Sequence, residues 1–427
     1  MRRGIALFAA AGLSLTLAAC GDDSSDDKTN GGGGESTTDG GEGGETTADG
    51  GNGGDADGDV SLTVWVDSNR EAAVKDAASA YEEATGNSVD VVVKEFDDIR
   101  QEFQTQVPTG EGPDITVGAH DWLGEFHANG VVAPVELGDF ADDFTTVAVE
   151  AFTYEGQVYG LPYAIENLAL FRNTELASEA PATYEDMVAA GKDAGTPYPF
   201  LIQTGEEGDP YTYYPFQTSF GAPVFVQNDD GTYSTELGLG GENGQAYAEW
   251  LIAEGEAGNL DTNITYDVAI DAFSKGESPF IVGGPWMIQE FADAGLDLAV
   301  DPIPAPGPEP AQPFVGVQGF YISAEAANPI AANDFLLNYI GTEEAQTAIY
   351  EAGNRLPALT AAADAVSGDE MTAGFAAVAE DAVPMPSIPQ MGEVWQFWGV
   401  TEAKLIRGEA GVDAWDKMVS DIEAAIQ

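Results

Sequence analysis

The sequence predicts an α/β protein with two lobes, hinge crossings between the lobes, and a ligand cleft where they face each other. Residues 60–93 show the apolar spacing of a strand, a helix and a second strand, a βαβ unit typical of a parallel sheet. Strand and helix patterns then recur over a chain long enough for two hydrophobic cores. Two lobes with crossings near residues 164–168 and 314–318 account for this recurrence better than one sheet does.

The first βαβ unit has the clearest periodicity. Apolar side chains alternate over residues 60–66, which predicts a half-buried strand, and they follow helical spacing over residues 74–81. Gly86 ends the helix, and a second alternating strand follows at residues 89–93. A further strand is expected at residues 114–117, after a turn rich in glycine and proline.

The later elements repeat the alternation of strands and helices. Expected in chain order are strands at 161–171 and 200–203, a helix capped by Thr183, helices near 245–254 and 266–275, strands at 279–282 and 314–322, and helices to the C-terminus.

The N-terminus has the features of a secretory signal peptide. Arg2 and Arg3 precede a short apolar run at 5–17, and small residues lead to Cys20. The run is too short and too rich in alanine and glycine for a convincing membrane-spanning helix. Leu-Ala-Ala-Cys resembles the bacterial lipobox, so Cys20 is the expected lipid anchor, although a chance cysteine is the alternative. As the only cysteine, Cys20 also excludes an intramolecular disulfide and a cluster of thiolate metal ligands.

The segment after Cys20 predicts a disordered, acidic and glycine-rich tether, because it has almost no apolar residues with which to form a core. The predicted organisation is therefore a signal peptide (1–19), a lipid-anchored tether (20–59), an N-lobe (60–164 plus 319–368) and a C-lobe (165–318 plus 369–427).

The charge of the chain excludes one class of partner. Its formal net charge is −60, which repels nucleic acid, and no basic stripe is present to follow phosphates. The only two histidines, His120 and His127, lie seven residues apart and do not form a metal-ligand set, so both are interpreted as structural. No metal and no cofactor are expected.

Residues with useful chemistry follow the predicted strands at their carboxyl ends, where open α/β sheets place their ligand crevice. Trp65 and Asp67 lie at the end of the first strand. Asp121 and Trp122 directly follow the strand predicted at 114–117. Trp65 could equally pack under a helix, since it lies on the face opposite Val64.

From about residue 61 to the C-terminus, the sequence resembles the maltose- and maltodextrin-binding proteins of ABC importers, which have the type II periplasmic-binding fold. Eight blocks carry the resemblance in the same order: 109–115, 119–121, 164–170, 209–211, 272–277, 284–286, 313–317 and 388–391. Each block alone is weak evidence, whereas eight in register make coincidence implausible.

The resemblance implies which residues line a sugar cleft. The matching positions are Trp65, Asp67, Arg70, Asp121, Glu166, Asp209, Tyr211, Trp286 and Trp395. The chemistry agrees, because a sugar ring has apolar C–H faces that stack on aromatic rings and hydroxyls that bind planar polar groups.

The sequence departs from the family pattern at two positions. Gly118 replaces an aromatic residue before the Ala-His-Asp block, and Gln396 replaces the aromatic residue after Trp395. Trp122 and Trp398 are additional aromatic residues nearby, so we include both among the candidate site residues. A rearranged stacking surface favours a sugar related to maltose, such as a maltodextrin, trehalose or another α-glucoside.

The implied function is a receptor, held on the outer face of the cell membrane by its lipid anchor alone, that closes on an oligosaccharide and delivers it to the permease of an ABC importer. A monomer without enzymatic activity is expected. Two alternatives remain: a secreted glycoside hydrolase that uses Asp121 and Glu166 as its acid and base, and a surface adhesin that needs no hinge.

Overall fold

The structure is a computed structural model that describes residues 60–228 and 232–427. The predicted signal peptide, Cys20 and the predicted tether lie outside the described residues. Within the described ranges, no helix is both long and apolar enough to cross a membrane.

The strands, in chain order, are β1 (Ser61–Val66), β2 (Ser88–Val93), β3 (Ile115–Ala119), β4 (Val132–Ala133), β5 (Thr153–Tyr154), β6 (Gln157–Val158), β7 (Gly160–Asn167), β8 (Ala169–Asn173), β9 (Phe225–Gln227), β10 (Tyr233–Leu237), β11 (Phe280–Gly283), β12 (Leu298–Asp301), β13 (Phe314–Ser323), β14 (Leu356–Pro357) and β15 (Val383–Pro384).

The α-helices, in chain order, are α1 (Ser68–Thr85), α2 (Phe96–Gln106), α3 (Leu123–Ala128), α4 (Thr146–Ala151), α5 (Tyr184–Ala194), α6 (Pro210–Ser219), α7 (Gly241–Ala257), α8 (Tyr266–Ser274), α9 (Ile288–Asp293), α10 (Pro329–Phe335), α11 (Glu343–Gly353), α12 (Thr360–Val366), α13 (Glu370–Ala379), α14 (Met391–Ile406) and α15 (Asp413–Ala425).

The predicted βαβ unit is confirmed. β1 and β2 are parallel, with Val64 opposite Val91, and α1 connects them. α1 ends at Gly86, whose φ of +77° is a left-handed conformation that glycine adopts without steric cost. The predicted strand at 114–117 is β3, which pairs in parallel with β1.

The two predicted crossing segments lie side by side in the main sheet. Its strand order is β14-β7-β13-β3-β1-β2, and both β4 and β15 also pair with β13. β7 and β13 are antiparallel neighbours, with Gly316 opposite Glu166 and Gln318 opposite Ala164. The register then shifts, so that Gly319 lies opposite Pro162. This irregularity lies close to the predicted crossings at 164–168 and 314–318.

A smaller antiparallel sheet has the order β11-β8-β12. The prediction of a strand at 200–203 is wrong. This segment makes only an isolated bridge, between Leu201 and Ile281 of β11. The chain then turns away at Gly205, which has a φ of +71° and whose N–H donates to the Ile264 carbonyl instead of extending the sheet.

Separate apolar cores surround the main sheet and the smaller β11-β8-β12 sheet. The first core draws its buried residues from 62–164 and 317–362. Two further clusters, together called the second core, draw theirs from 168–314 and 375–422. This division supports two lobes, and the lobe boundaries stay a prediction. It also places the segments around 164–168 and 314–317 between cores, where the candidate site residues meet.

Candidate functional site

Asp67 and Arg70 form the first part of the candidate site, where β1 ends and α1 begins. Asp67 caps α1 by accepting hydrogen bonds from the backbone N–H groups of Asn69 (3.0 Å) and Arg70 (3.3 Å), and its carboxylate pairs with the Arg70 guanidinium. Arg70 is only 2% exposed, and its Cζ lies 5.5 Å from the ring centroid of Phe96 and 5.2 Å from that of Tyr163. A helix cap and two aromatic rings therefore fix one buried guanidinium in place.

Trp65 lies just before this pair on β1 and is 4% exposed. The ammonium nitrogen of Lys94 lies 4.0 Å from the centroid of the Trp65 ring, which is a cation–π contact. Packing therefore accounts for Trp65, and little of its surface is open to a ligand.

Asp121 lies in a short helical turn, residues 120–122, directly after β3. It is 4% exposed, and its Oδ1 has no hydrogen-bond partner within the described residues. Burial raises its pKa to about 6, although the charge of Arg100 acts in the opposite direction. Asp121 is thus a buried carboxyl group with unused hydrogen-bonding capacity.

Trp122 explains why residue 118 is a glycine. A Cβ atom at Gly118 would lie 2.6 Å from Cε3 of Trp122, too close for any side chain. The Trp122 ring also contacts Phe96 and Phe126, with centroids 5.2 and 5.8 Å away, and the residue is 7% exposed. The Trp122 ring therefore fills the space that an aromatic side chain at residue 118 would need. The departure from the family pattern at Gly118 and the additional aromatic residue Trp122 depend on each other.

His120 connects segments that belong to different cores. Its Nδ1 accepts a hydrogen bond from the Val317 N–H (3.0 Å), so Nε2 carries the proton and donates to the Met385 carbonyl (3.0 Å). Burial lowers its pKa to about 4. His127 lies against the rings of Tyr154 and Tyr159. In the part of the chain that the structure describes, no three His, Cys, Asp or Glu side chains are grouped to hold a metal ion.

Glu166 lies at the centre of a polar group at the end of β7. It is 7% exposed and accepts a hydrogen bond from Nε2 of Gln318 (2.8 Å) on neighbouring β13. Its second oxygen pairs with Nε of Arg355, the residue that precedes β14 on the other side of β7. Glu166 is therefore held from both sides, by Gln318 of β13 and by Arg355 directly before β14.

Asp209 and Tyr211 begin the part contributed by the second core. Asp209 caps α6 by accepting from the Thr212 N–H (3.1 Å) and hydroxyl (2.8 Å), and it also pairs with Gln203. Burial raises the pKa of Asp209. Tyr211 follows in the first turn of α6, with its ring 6.2 Å from that of Phe314 at an interplanar angle of 23°.

Trp286 lies in a turn of residues 285–287 after β11 and is partly exposed. Its ring folds back over Gly284, where a Cβ atom would overlap it. The Tyr211 ring lies 6.5 Å away, and Cζ of Arg355 lies 5.0 Å from the Trp286 centroid. Trp286 therefore contacts the second core through Tyr211 and the first through Arg355.

Trp395 and Trp398 lie one turn apart on α14, and their rings stack at 5.5 Å and 24°. Trp398 is fully buried and donates from its indole N–H to Oε1 of Gln217 (3.0 Å), so it supports Trp395 from beneath and presents no face to a ligand. Trp395 is partly exposed. Gln396 is exposed and donates to Glu393 on the outer face of the helix.

Tyr211 shows that these parts converge. Burial raises its pKa well above the usual value, Glu166 raises it further, and Arg355 acts in the opposite direction, with smaller effects from Asp209 and Asp121. Charges from both sides of the crossing strands thus act on one phenol. Several buried polar atoms of the candidate residues and their neighbours have no hydrogen-bond partner among the described residues: Arg70 Nη2, Asp121 Oδ1, Tyr211 Oη, Gln318 Oε1, Arg355 Nη1 and Trp395 Nε1. Such atoms are costly to bury unpaired, and a polar ligand would supply the missing partners.

Gln318 and Arg355 belong to this group but are not predicted from the sequence. The only signal for Arg355 is scarcity, because a chain with 14 lysines and arginines has few cations to place beside a short apolar segment, and Gln318 has no such signal. Arg355 follows Asn354, which has a left-handed φ of 54°. Neither feature predicts that the Arg355 side chain reaches Trp286, 69 residues earlier in the chain.

A family model for bacterial extracellular solute-binding proteins matches residues 76–377, well over half of the chain. The chain belongs to this family of extracellular solute-binding proteins.

Characterised relatives agree with this assignment. The solute-binding protein is 27% identical to a maltodextrin-binding protein of Bacillus subtilis, over 92% of this chain and 90% of the relative. It is 30% identical to a maltooligosaccharide ABC transporter solute-binding lipoprotein of Streptococcus pneumoniae, over 78% and 81% of the two chains. These relatives are binding proteins, and the resemblance to maltodextrin-binding proteins is confirmed.

A solved structure gives the same result for the fold. The maltotriose-binding protein of Thermus thermophilus, bound with maltotriose, matches with a TM-score of 0.78 and 32% identity, covering 86% of this chain and all of that one. The predicted type II periplasmic-binding fold is therefore confirmed.

Proposed function

We propose that this solute-binding protein is the extracytoplasmic receptor of an ABC importer and that it binds a maltooligosaccharide or a closely related α-glucoside. The observation that carries the proposal is that partly exposed Trp286 and Trp395 pack against the same core, while other candidate residues have buried polar atoms with spare hydrogen-bonding capacity among the described residues. Relatives named for binding maltodextrin, maltooligosaccharide and maltotriose support this class of ligand.

The charges of the site suit an uncharged ligand. The Arg70 guanidinium pairs with Asp67, and that of Arg355 pairs with Glu166, so neither cation remains to neutralise an anion. Burial raises the pKa of Asp121 to about 6, because a negative charge is poorly solvated at this position, so a second anion there would be disfavoured. A site of paired charges and uncommitted donors and acceptors is suited to sugar hydroxyls.

Each candidate residue receives a role in this proposal. Trp286, Trp395 and Tyr211 supply the stacking surface, while Arg70, Asp121 and Glu166 bind hydroxyls. Asp67 and Asp209 act through the groups they hold, since each caps a helix. Trp65, Trp122 and Trp398 shape the walls from buried positions.

Ligand binding would close the two lobes around the crossing strands. Asp121 and Glu166 lie among the elements of the first core, whereas Tyr211, Trp286 and Trp395 lie among those of the second. A ligand that bridges both sets makes contacts in the closed state that the open state lacks, and so it shifts the population towards the closed state.

Cys20 would anchor the protein to the outer face of the membrane, and residues 20–59 would tether the receptor near its permease. The lipobox-like sequence supports the anchor, as does the relative described as a lipoprotein. We propose that the receptor acts as a monomer and that the permease of the importer is its protein partner.

We further propose that the protein binds its sugar without cleaving it. Asp121 and Glu166 are engaged differently from an acid and base pair, because Glu166 is already paired with Arg355 and bonded to Gln318. New reducing ends released from maltotriose by the purified protein would contradict this.

A thermal unfolding screen tests the proposed function. Maltose, maltotriose, maltotetraose and trehalose are compared with galactose-based and β-linked sugars of equal size. A sugar present at 100 times its dissociation constant adds about 2.7 kcal/mol to the unfolding free energy. A panel in which no α-glucoside raises the unfolding temperature above the β-linked controls would overturn the proposal.

A further inference from the structure

Arg355 is placed to connect the main sheet with the stacking surface of the second core. It immediately precedes β14, whose Leu356 lies opposite Ile165 of β7. Its Nε pairs with Glu166, and its Cζ lies over the Trp286 ring, 5.0 Å from the ring centroid. A sugar unit that stacks on the exposed part of Trp286 would therefore have this guanidinium as an immediate neighbour.

Arg355 also has a free donor. Within the described residues, its Nη1 is buried without a hydrogen-bond partner, although a guanidinium offers five N–H donors in a rigid fork. Glu166 engages the Nε side of the fork, so it fixes the orientation of the group without consuming Nη1.

Gln318 provides the matching acceptor on the other side of Glu166. Its Nε2 donates to Glu166 Oε1 (2.8 Å), which leaves its Oε1 as the free atom of the amide. That oxygen is also buried and unpartnered within residues 60–228 and 232–427. A free donor and a free acceptor thus flank one carboxylate, with Gln318 on β13 at one side of β7 and Arg355 directly before β14 at the other.

We propose that Arg355 is a specificity-determining residue that donates from Nη1 to a hydroxyl of the sugar unit stacked on Trp286, with Gln318 accepting a hydrogen bond from the same unit. Glu166 holds both side chains in place. The inference rests on the proposed function, because it assigns further ligand contacts within the same site.

A buried donor that loses its acceptor discriminates strongly between ligands, whereas an apolar surface discriminates weakly. The stacking surface would thus set how well a pyranose binds. Arg355 and Gln318 would set which hydroxyl pattern is accepted at Trp286.

The test is isothermal titration calorimetry with maltotriose and with its derivatives that each lack a single hydroxyl. For the wild-type protein, we expect at least one derivative to bind ten times more weakly than maltotriose. Arg355→Met should bind maltotriose at least tenfold more weakly than the wild type does, and it should bind that same derivative as well as it binds maltotriose, within twofold.

Two further variants separate contact from structure. Arg172→Met removes a guanidinium of similar burial that pairs with Asp301 (2.7 Å) on the smaller sheet, and it should keep the wild-type affinity and hydroxyl preference. Arg355→Lys keeps a cation beside Glu166 but has no nitrogen in the place of Nη1. It should fold even if Arg355→Met does not, and it should lose the preference for the hydroxyl that Nη1 binds.

The outcomes distinguish the two proposals. A wild-type protein that binds no sugar would overturn the proposed function and this inference with it. A wild-type protein that binds maltotriose, together with Arg355 variants that keep its affinity or its preference among the derivatives, would overturn the inference alone.

Discussion

The indole ring of Trp122 occupies the space next to Gly118, so that a Cβ atom at residue 118 would lie 2.6 Å from Cε3 of Trp122 and 3.0 Å from Cε2 of Tyr321. Gly118 lies on β3, three residues before Asp121. The packing of one glycine therefore helps to fix the wall that positions a buried carboxyl group of the candidate site.

Replacement of Gly118 by alanine should destabilise the protein. The added methyl group must displace two packed aromatic rings, and overpacking of this kind costs about 1–3 kcal/mol. Chemical denaturation of Gly118→Ala measures the loss. In the double variant Gly118→Ala, Trp122→Leu, the closest of the two rings is gone and only the contact with Tyr321 remains, so the two substitutions should cost less together than the sum of their separate costs. Additive costs would show that the Trp122 ring does not limit residue 118.

Replacement of Trp286 by alanine should weaken maltotriose binding at least tenfold, which corresponds to about 1.4 kcal/mol. The substitution removes the ring that lies against both Tyr211 and Arg355 and that is open to solvent on part of its surface. Calorimetric titration gives the dissociation constant.

Trp415→Phe is the matched control for this experiment. Trp415 is fully buried in the second core and donates to the Leu239 carbonyl (2.8 Å), so its replacement should lower stability and leave affinity unchanged. Equal affinity in Trp286→Ala and the wild type would remove Trp286 from the site.

The sequence predicts the parts of this molecule that depend on local spacing. The βαβ unit, the Thr183 cap and the strand β13 follow from periodicity and capping chemistry, and the structure confirms them. Residues 200–203 have the composition of a strand, but their pairing ends after one bridge because Gly205 redirects the chain.

Within the candidate site, residue identity predicts chemistry better than it predicts exposure. Trp395 and Trp398 look equivalent in sequence, yet only tertiary packing buries Trp398 against Gln217 and leaves Trp395 partly exposed. Arg355 could not be predicted from the sequence, because its contacts with Glu166 and Trp286 depend on strand order and not on local spacing.

Asp121 should make stability fall as pH rises from about 4 to about 6. Burial raises its pKa from 3.8 to about 6, so over this range the native state keeps a proton that the unfolded state has released. The stabilising contribution is complete below pH 4 and is lost as pH rises through 6, with a maximum of about 3 kcal/mol. Asp121→Asn cannot titrate, so the unfolding free energy of the wild type relative to this variant should decline over that window. A constant difference from pH 4 to 7 would contradict the assignment.

His120, the residue next to Asp121, should give the opposite slope. Burial lowers its pKa from 6.5 to about 4, so the unfolded state takes up a proton that the native imidazole refuses while Nδ1 accepts from Val317. The contribution of His120 is complete above pH 6.5 and is lost as pH falls towards 4, by at most about 3 kcal/mol. Because the two windows overlap, the measurement is made in the Asp121→Asn background, where adding His120→Gln should remove the part of the stability that is lost as pH falls from 6.5 to 4. Parallel curves with and without His120 would show that this histidine does not titrate differently in the folded and unfolded states.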